Sequence, residues 1–124
     1  MIYIERELEK EIKKYLDSKE MLAVVGARQC GKTTLIKQIQ QKYADSSLYL
    51  NCDEPDIRVN LTNTTSTALK IFFGDKKLIF IDEAQRVENI GLTLKLIVDS
   101  IPEIQVVATG SSSFELSNKS LKIV

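Results

Sequence analysis

The stretch VVGARQCGKTTLIKQ, Val24 to Gln38, carries two glycines at fixed spacing, then a lysine and a threonine. Gly26, Gly31, Lys32 and Thr33 complete a Gly-x4-Gly-Lys-Thr pattern, and each residue type has a physical use. The glycines permit the backbone angles that turn several N–H groups toward one anion. A helix starting near Lys32 aims the positive end of its dipole at the same point. The Lys32 ammonium can reach the β- and γ-phosphates of a nucleotide, and the Thr33 hydroxyl can complete a Mg2+ shell. Gly26, Ala27, Arg28, Gln29, Cys30, Gly31, Lys32, Thr33 and Thr34 together form the candidate nucleotide-binding segment. Within it Cys30 reads as a small residue whose backbone N–H matters more than its sulfur, although a helix N-terminus can make a thiol reactive. Arg28 reads as facing solvent, with a contact to nucleotide or partner as the lesser reading.

A phosphate clamp only binds; hydrolysis asks for more. The stretch LIFIDEAQ ends an apolar run on Asp82 and Glu83. Asp82 can hold Mg2+, directly or through a water, opposite Thr33. Glu83 beside it can orient and deprotonate an attacking water, which separates a hydrolase from a binder. In VVATGSSS the residues Thr109, Ser111 and Ser112 are candidates for touching the γ-phosphate or that water, and Ser111 is the choice among them. The candidate catalytic residues are thus Glu83, Lys32 and Ser111. Thr33 and Asp82 are the candidate metal holders, and the ligands are ATP and Mg2+.

These residues need elements to position them. Ile4, Leu8, Ile12 and Leu16 recur every four residues among charges, so the chain opens on an amphipathic helix. Met21 to Val25 is a short apolar run stopped by Gly26, the pattern of a buried strand. A helix follows from Lys32, with Leu35, Ile36, Ile39 and Tyr43 on one face. Ser47 to Cys52 reads as a second strand, and DEPDIRVNLTNTTST after it as polar and turn-rich. A short helix through Ala68 to Phe73 precedes a strong strand, Lys77 to Asp82. Leu94, Ile97, Val98 and Ile101 then form a helical stripe, and Ile104 to Gly110 a fourth strand. Strands alternating with helices predict βαβ units, hence an α/β parallel sheet with helices on both faces. Such sheets take ligands at the C-terminal ends of their strands, where the three segments above fall.

Composition excludes several classes. At 124 residues there is room for one domain, and 44% hydrophobic with 27% charged residues is ordinary for a globular chain. Lys+Arg and Asp+Glu both number 17, so the chain is not built mainly to coat nucleic acid. There is no histidine, and the two cysteines lack CxxC spacing, which removes His-based catalysis and structural zinc. No apolar run approaches the ~20 residues of a membrane span. The charged N-terminus is no secretory signal, so a cytoplasmic protein is expected.

Taken together, GARQCGKTTL, LIFIDEAQRV and VVATGSSSFELS resemble the Walker A, Walker B and sensor-1 segments of AAA-type ATPases. In particular they look like those of the bacterial and archaeal ATP-binding proteins with a separate C-terminal domain of unknown function. The leading helix with Arg6 is similar too, so the resemblance covers nearly the whole chain. It implies a P-loop NTPase three-layer sandwich with sheet order 5-1-4-3-2, Mg·ATP as ligand and Glu83 as the residue that activates water. Against that pattern the fifth strand, the helical lid, the second sensor and the C-terminal domain are expected to be missing. Residues 1–124 then form a truncated ATPase core with strand order 1-4-3-2. After Asp82 the only arginine is Arg86, which leaves no arginine finger, a device worth ~10³–10⁵ in rate.

The expected function is Mg·ATP binding and hydrolysis by an AAA-type ATPase core, weak or inactive as it stands. The alternatives are a nucleotide-gated interaction module with incidental hydrolysis and a small P-loop kinase. The acidic pair favours water as acceptor, which counts against the kinase. Without a fifth strand, Met21–Val25 would be a bare edge, so either self-association through it or a first strand covered by the N-terminal or C-terminal segment is expected. The sequence names no protein or nucleic-acid partner and gives no sign of a membrane.

Overall fold

Two apolar runs make the centre of the sheet, because a strand covered on both faces needs side chains that tolerate burial on both. The computed structural model describes Lys10 and residues 21–25, 32–110 and 121–123. Its strands are β1 (Met21–Val25), β2 (Ser47–Asn51), β3 (Leu78–Asp82), β4 (Gln105–Gly110) and β5 (Leu121–Ile123). They lie in the order β2-β3-β4-β1-β5, and each neighbouring pair is parallel. Every residue of β3 and β4, two of the strands inside the sheet, is buried.

The two-residue period of a strand divides the core into two parts. Ile79, Ile81, Val106 and Ala108 join one cluster, while Leu78, Phe80 and Val107 join the other. Helix α1 (Lys32–Lys42) closes the second cluster with Ile36 and Ile39, both fully buried. Leu61 of α2 (Pro55–Leu61), Leu69 and Phe73 of α3 (Ser66–Phe73), and Leu94 and Ile97 of α4 (Ile90–Ser100) close the first. Local chemistry sets the bounds of α3. The Thr65 hydroxyl accepts from the Ala68 N–H at 3.1 Å, and Gly74 ends the helix at φ 64°.

Three expectations change. The segment after β2 is helical over Pro55–Leu61, with proline at its start, where a missing N–H costs nothing. Of its residues only Leu61 is buried, so no apolar stripe announced it. The Leu61 carbonyl accepts a buried hydrogen bond from the Thr93 hydroxyl at 2.6 Å, which fixes α2 to α4.

The larger correction concerns the sheet. A fifth strand is present, supplied by this chain: β5 pairs with β1 through Met21↔Leu121, Leu22↔Lys122 and Ala23↔Ile123. On its other side β1 pairs with β4. The first strand is therefore no bare edge, and the expectation of self-association through it loses its premise. The expected leading helix lies outside the described residues, apart from Lys10, which is helical. Among the described residues, no helix is long and apolar enough to cross a membrane.

Candidate functional site

Parallel pairing brings the C-terminal ends of three strands side by side. Val25↔Gly110 sets β1 against β4, and Ile81↔Ala108 sets β3 against β4, so Asp82 at the end of β3 lies level with Thr109. From β1 the chain runs on into the Gly26–Gly31 segment, which lies outside the described residues with Ala27, Arg28, Gln29 and Cys30. It returns at Lys32, where Lys32, Thr33 and Thr34 open α1. Ser111 and Ser112 also lie outside the described residues.

Asp82 is 1% exposed, yet it is well supplied with donors. The Thr109 hydroxyl donates to its Oδ1 and the Tyr49 phenol to its Oδ2, each at 2.5 Å. A buried carboxylate demands such partners, since burial without them costs several kcal/mol. Thr109 is fully buried, and its oxygen also accepts the Glu83 N–H at 3.1 Å. One hydroxyl thus holds both acids of the pair. Its role is internal to the site, unlike the phosphate contact for which Thr109 was one candidate.

Glu83 is 5% exposed, with φ 57° and ψ 45°. A left-handed backbone is uncommon outside glycine, and such conformations collect at functional sites. Gln85 Nε2 donates to Glu83 Oε2 at 2.6 Å, while Gln85 Oε1 is buried without a hydrogen-bond partner among the described residues. Arg86, exposed, pairs with Asp53 at 3.1 Å. That contact ties the turn after β3 to the turn after β2, and Arg58 adds to it by donating to the Cys52 and Asp53 carbonyls at 2.9 Å.

Tyr49 and Gln85 are the residues that sequence reading passed over. A tyrosine between two leucines, in a strand ending near an acid, was the available sign for the first. The second had none beyond its place in DEAQ.

Oxygen donors of this kind, a carboxylate and a hydroxyl, suit the hard ion Mg2+. Among the described residues no three His, Cys, Asp or Glu gather as a metal cage. A Mg2+ shared with nucleotide phosphates needs only one or two protein oxygens, a demand that the Asp82 carboxylate fits in type.

Burial and nearby charge also shape the chemistry next to the site. The Tyr49 phenol is pushed well above its ordinary value by burial first, then by its bond to Asp82 and the charges of Asp82 and Asp53. Cys52, fully buried after β2, is pushed up to about 12 from an ordinary 9.0 by burial, with Asp82, Asp53 and Glu83 adding and Arg58 opposing. The folded thiol keeps its proton at pH values where the unfolded one loses it. Stability is therefore full below about pH 9 and falls as pH rises from there toward about 12. The urea midpoint should drop between about pH 9 and 11, and drop less in Cys52→Ala. Equal slopes in parent and variant would show that this thiol is not the cause.

Comparison with known proteins gives the same outline. An uncharacterized protein of Methanocaldococcus jannaschii is 32% identical over 122 aligned residues, covering 88% of this chain and 25% of that protein. The chain therefore spans about a quarter of that relative's length. A family profile described as an AAA domain matches residues 18–123. That match takes in every strand and helix introduced above, together with both acids of the strand end, and it is on this ground that the chain belongs to the AAA domain family, nucleotide-binding and ATPase-like in character.

Proposed function

We propose that this domain binds Mg·ATP and hydrolyses it slowly, with Glu83 as the base. The observation that carries the reading is the buried acidic pair Asp82–Glu83, held by Thr109 level with the end of β1. In this reading the N–H groups of residues 26–31 and the Lys32 ammonium bind the phosphates, and Asp82 and Thr33 hold Mg2+. When bound, Mg2+ neutralises charge building on the β- and γ-phosphate oxygens. Glu83 takes a proton from a water as its oxygen bonds to the γ-phosphorus and the bond to the bridging oxygen breaks, giving ADP and phosphate. Ser111 is proposed to touch the γ-phosphate or that water. The hydrogen bond from Gln85 to Glu83 favours a second reading, a nucleotide-gated interaction module whose base is held back and whose hydrolysis is incidental.

The test is a calorimetric titration of ATP with Mg2+ and with chelator, paired with phosphate-release assays. Mg2+-dependent binding with slow phosphate release is expected. Asp82→Ala should bind ATP with little regard to Mg2+, because it removes the carboxylate proposed to hold the ion. A variant as Mg2+-dependent as its parent would remove Asp82 from this role. Binding without any phosphate release would leave the interaction module as the better reading.

A further inference from the structure

Thr109 of β4 and Tyr49 of β2 both donate to the Asp82 carboxylate, each from a strand neighbouring its own. The second is the less expected. Register pairs Tyr49 with Phe80 and Asn51 with Asp82, so in a parallel sheet Tyr49 and Asp82 share the face that α1 covers. The half-buried Tyr49 ring points its hydroxyl along that face to Asp82 Oδ2 at 2.5 Å. On the ring lies Lys37 of α1, its Nζ 5.4 Å from the centroid, within the range of a cation–π contact. A contact therefore runs from the helix that Lys32 opens, through the Tyr49 ring, to the acid at the end of β3.

We infer that Tyr49 is a positioning residue for Asp82: its hydroxyl fixes the carboxylate in the orientation that serves Mg2+, and so sets the divalent-ion requirement of nucleotide binding. The inference rests on the ATPase reading above and adds to it a residue that touches neither nucleotide nor metal. Carboxylates that hold metal ions are themselves hydrogen-bonded, and loss of such a partner costs about 10–100-fold in metal affinity. With Oδ2 released, Asp82 can turn about its last bond, while Thr109 restrains only Oδ1.

Tyr49→Phe removes the hydroxyl and leaves the ring in place beneath Lys37. In the full chain, ATP affinity is measured across a Mg2+ series starting from chelator. The Mg2+ concentration at half of the affinity gain should rise about 10–100-fold. ATP affinity in chelator should stay near the parent value. Mn2+ binding to the ATP-loaded protein, read from the free-ion EPR signal, should weaken by the same factor without reference to turnover. A lower melting temperature with an unmoved Mg2+ requirement would make Tyr49 a packing residue and overturn the inference. If the parent itself binds ATP equally with and without Mg2+, the ATPase reading falls and takes this inference with it. If the parent responds to Mg2+ and the variant responds identically, Tyr49 alone is misassigned. Should Tyr49→Phe fail to fold, Lys37→Ala at its exposed position decides instead. A smaller rise of the same sign supports the coupling, and no rise overturns it.

Discussion

Glu83→Gln is expected to bind ATP as the parent does while its turnover falls by about 10²–10⁴-fold, the usual contribution of a positioned general base. An amide copies the shape of the carboxylate and can still meet Gln85, but it cannot accept the proton of the attacking water. The backbone stays as it is. Glu83 sits at φ 57° with its N–H on the Thr109 hydroxyl, and neither feature depends on which of the two side chains is present. Asp82 keeps both of its donors, so the response of binding to Mg2+ should not move. The decisive measurement is single-turnover phosphate release beside an ATP titration of the same sample. Release at the parent rate would take the base away from Glu83, and a parallel loss of affinity would recast Glu83 as a binding residue.

Lys32→Ala should lower ATP affinity by about 100-fold or more without unfolding the domain. Hydrogen bonds to charged groups are worth roughly 1.5–3 kcal/mol each, and an ammonium on triphosphate oxygens makes more than one. In this reading the lysine faces ligand rather than core. Among its described contacts, α1 meets the core through Ile36 and Ile39, both fully buried and more than a turn beyond Lys32. The melting temperature should therefore stay within a degree or two of the parent value, for surface substitutions usually change stability by under about 0.5 kcal/mol. Unchanged affinity in a calorimetric titration would sink the assignment of the whole segment.

Much of the site's location was legible because the chemistry and the fold write on the same residues. The apolar run before Asp82 both declares a buried strand and places the acid at its end, and β3 is buried from Leu78 to Asp82. The glycine pattern likewise stops β1 and starts α1. What stayed hidden has physical causes. Tyr49 meets Asp82 across a strand pairing that joins distant segments, and nothing local in Leu-Tyr-Leu-Asn sets that register. Helix α2 buries one side chain, Leu61, so its periodicity is silent. Strand β5 is three residues long, Leu121–Ile123, too few to show an alternation. Expecting no fifth strand left a choice between a sticky edge at β1 and a covering terminal segment, and Leu121–Ile123 is the segment that pairs there. Thr109 shows the opposite limit: its type and place were seen, but only the folded arrangement commits its hydroxyl to the Asp82 carboxylate and the Glu83 N–H.

The pairing of β1 has a kinetic side. It finds its neighbours only at Leu22–Val25 against Val107–Gly110 and at Met21–Ala23 against Leu121–Ile123, with most of the chain in between. Loop-closure entropy grows slowly with length, about 0.6 kcal/mol for each doubling, so this wiring takes little from the stability of the finished sheet. Its effect falls on the rate. Contacts of long sequence separation lower folding rates, and parallel pairings are slow in particular. The pairs β2 with β3 and β3 with β4 join nearer neighbours in the chain and can assemble while β1 is still searching. The long separations of this sheet therefore concentrate on the strand that leads into the glycine segment, and β5 can join only through it.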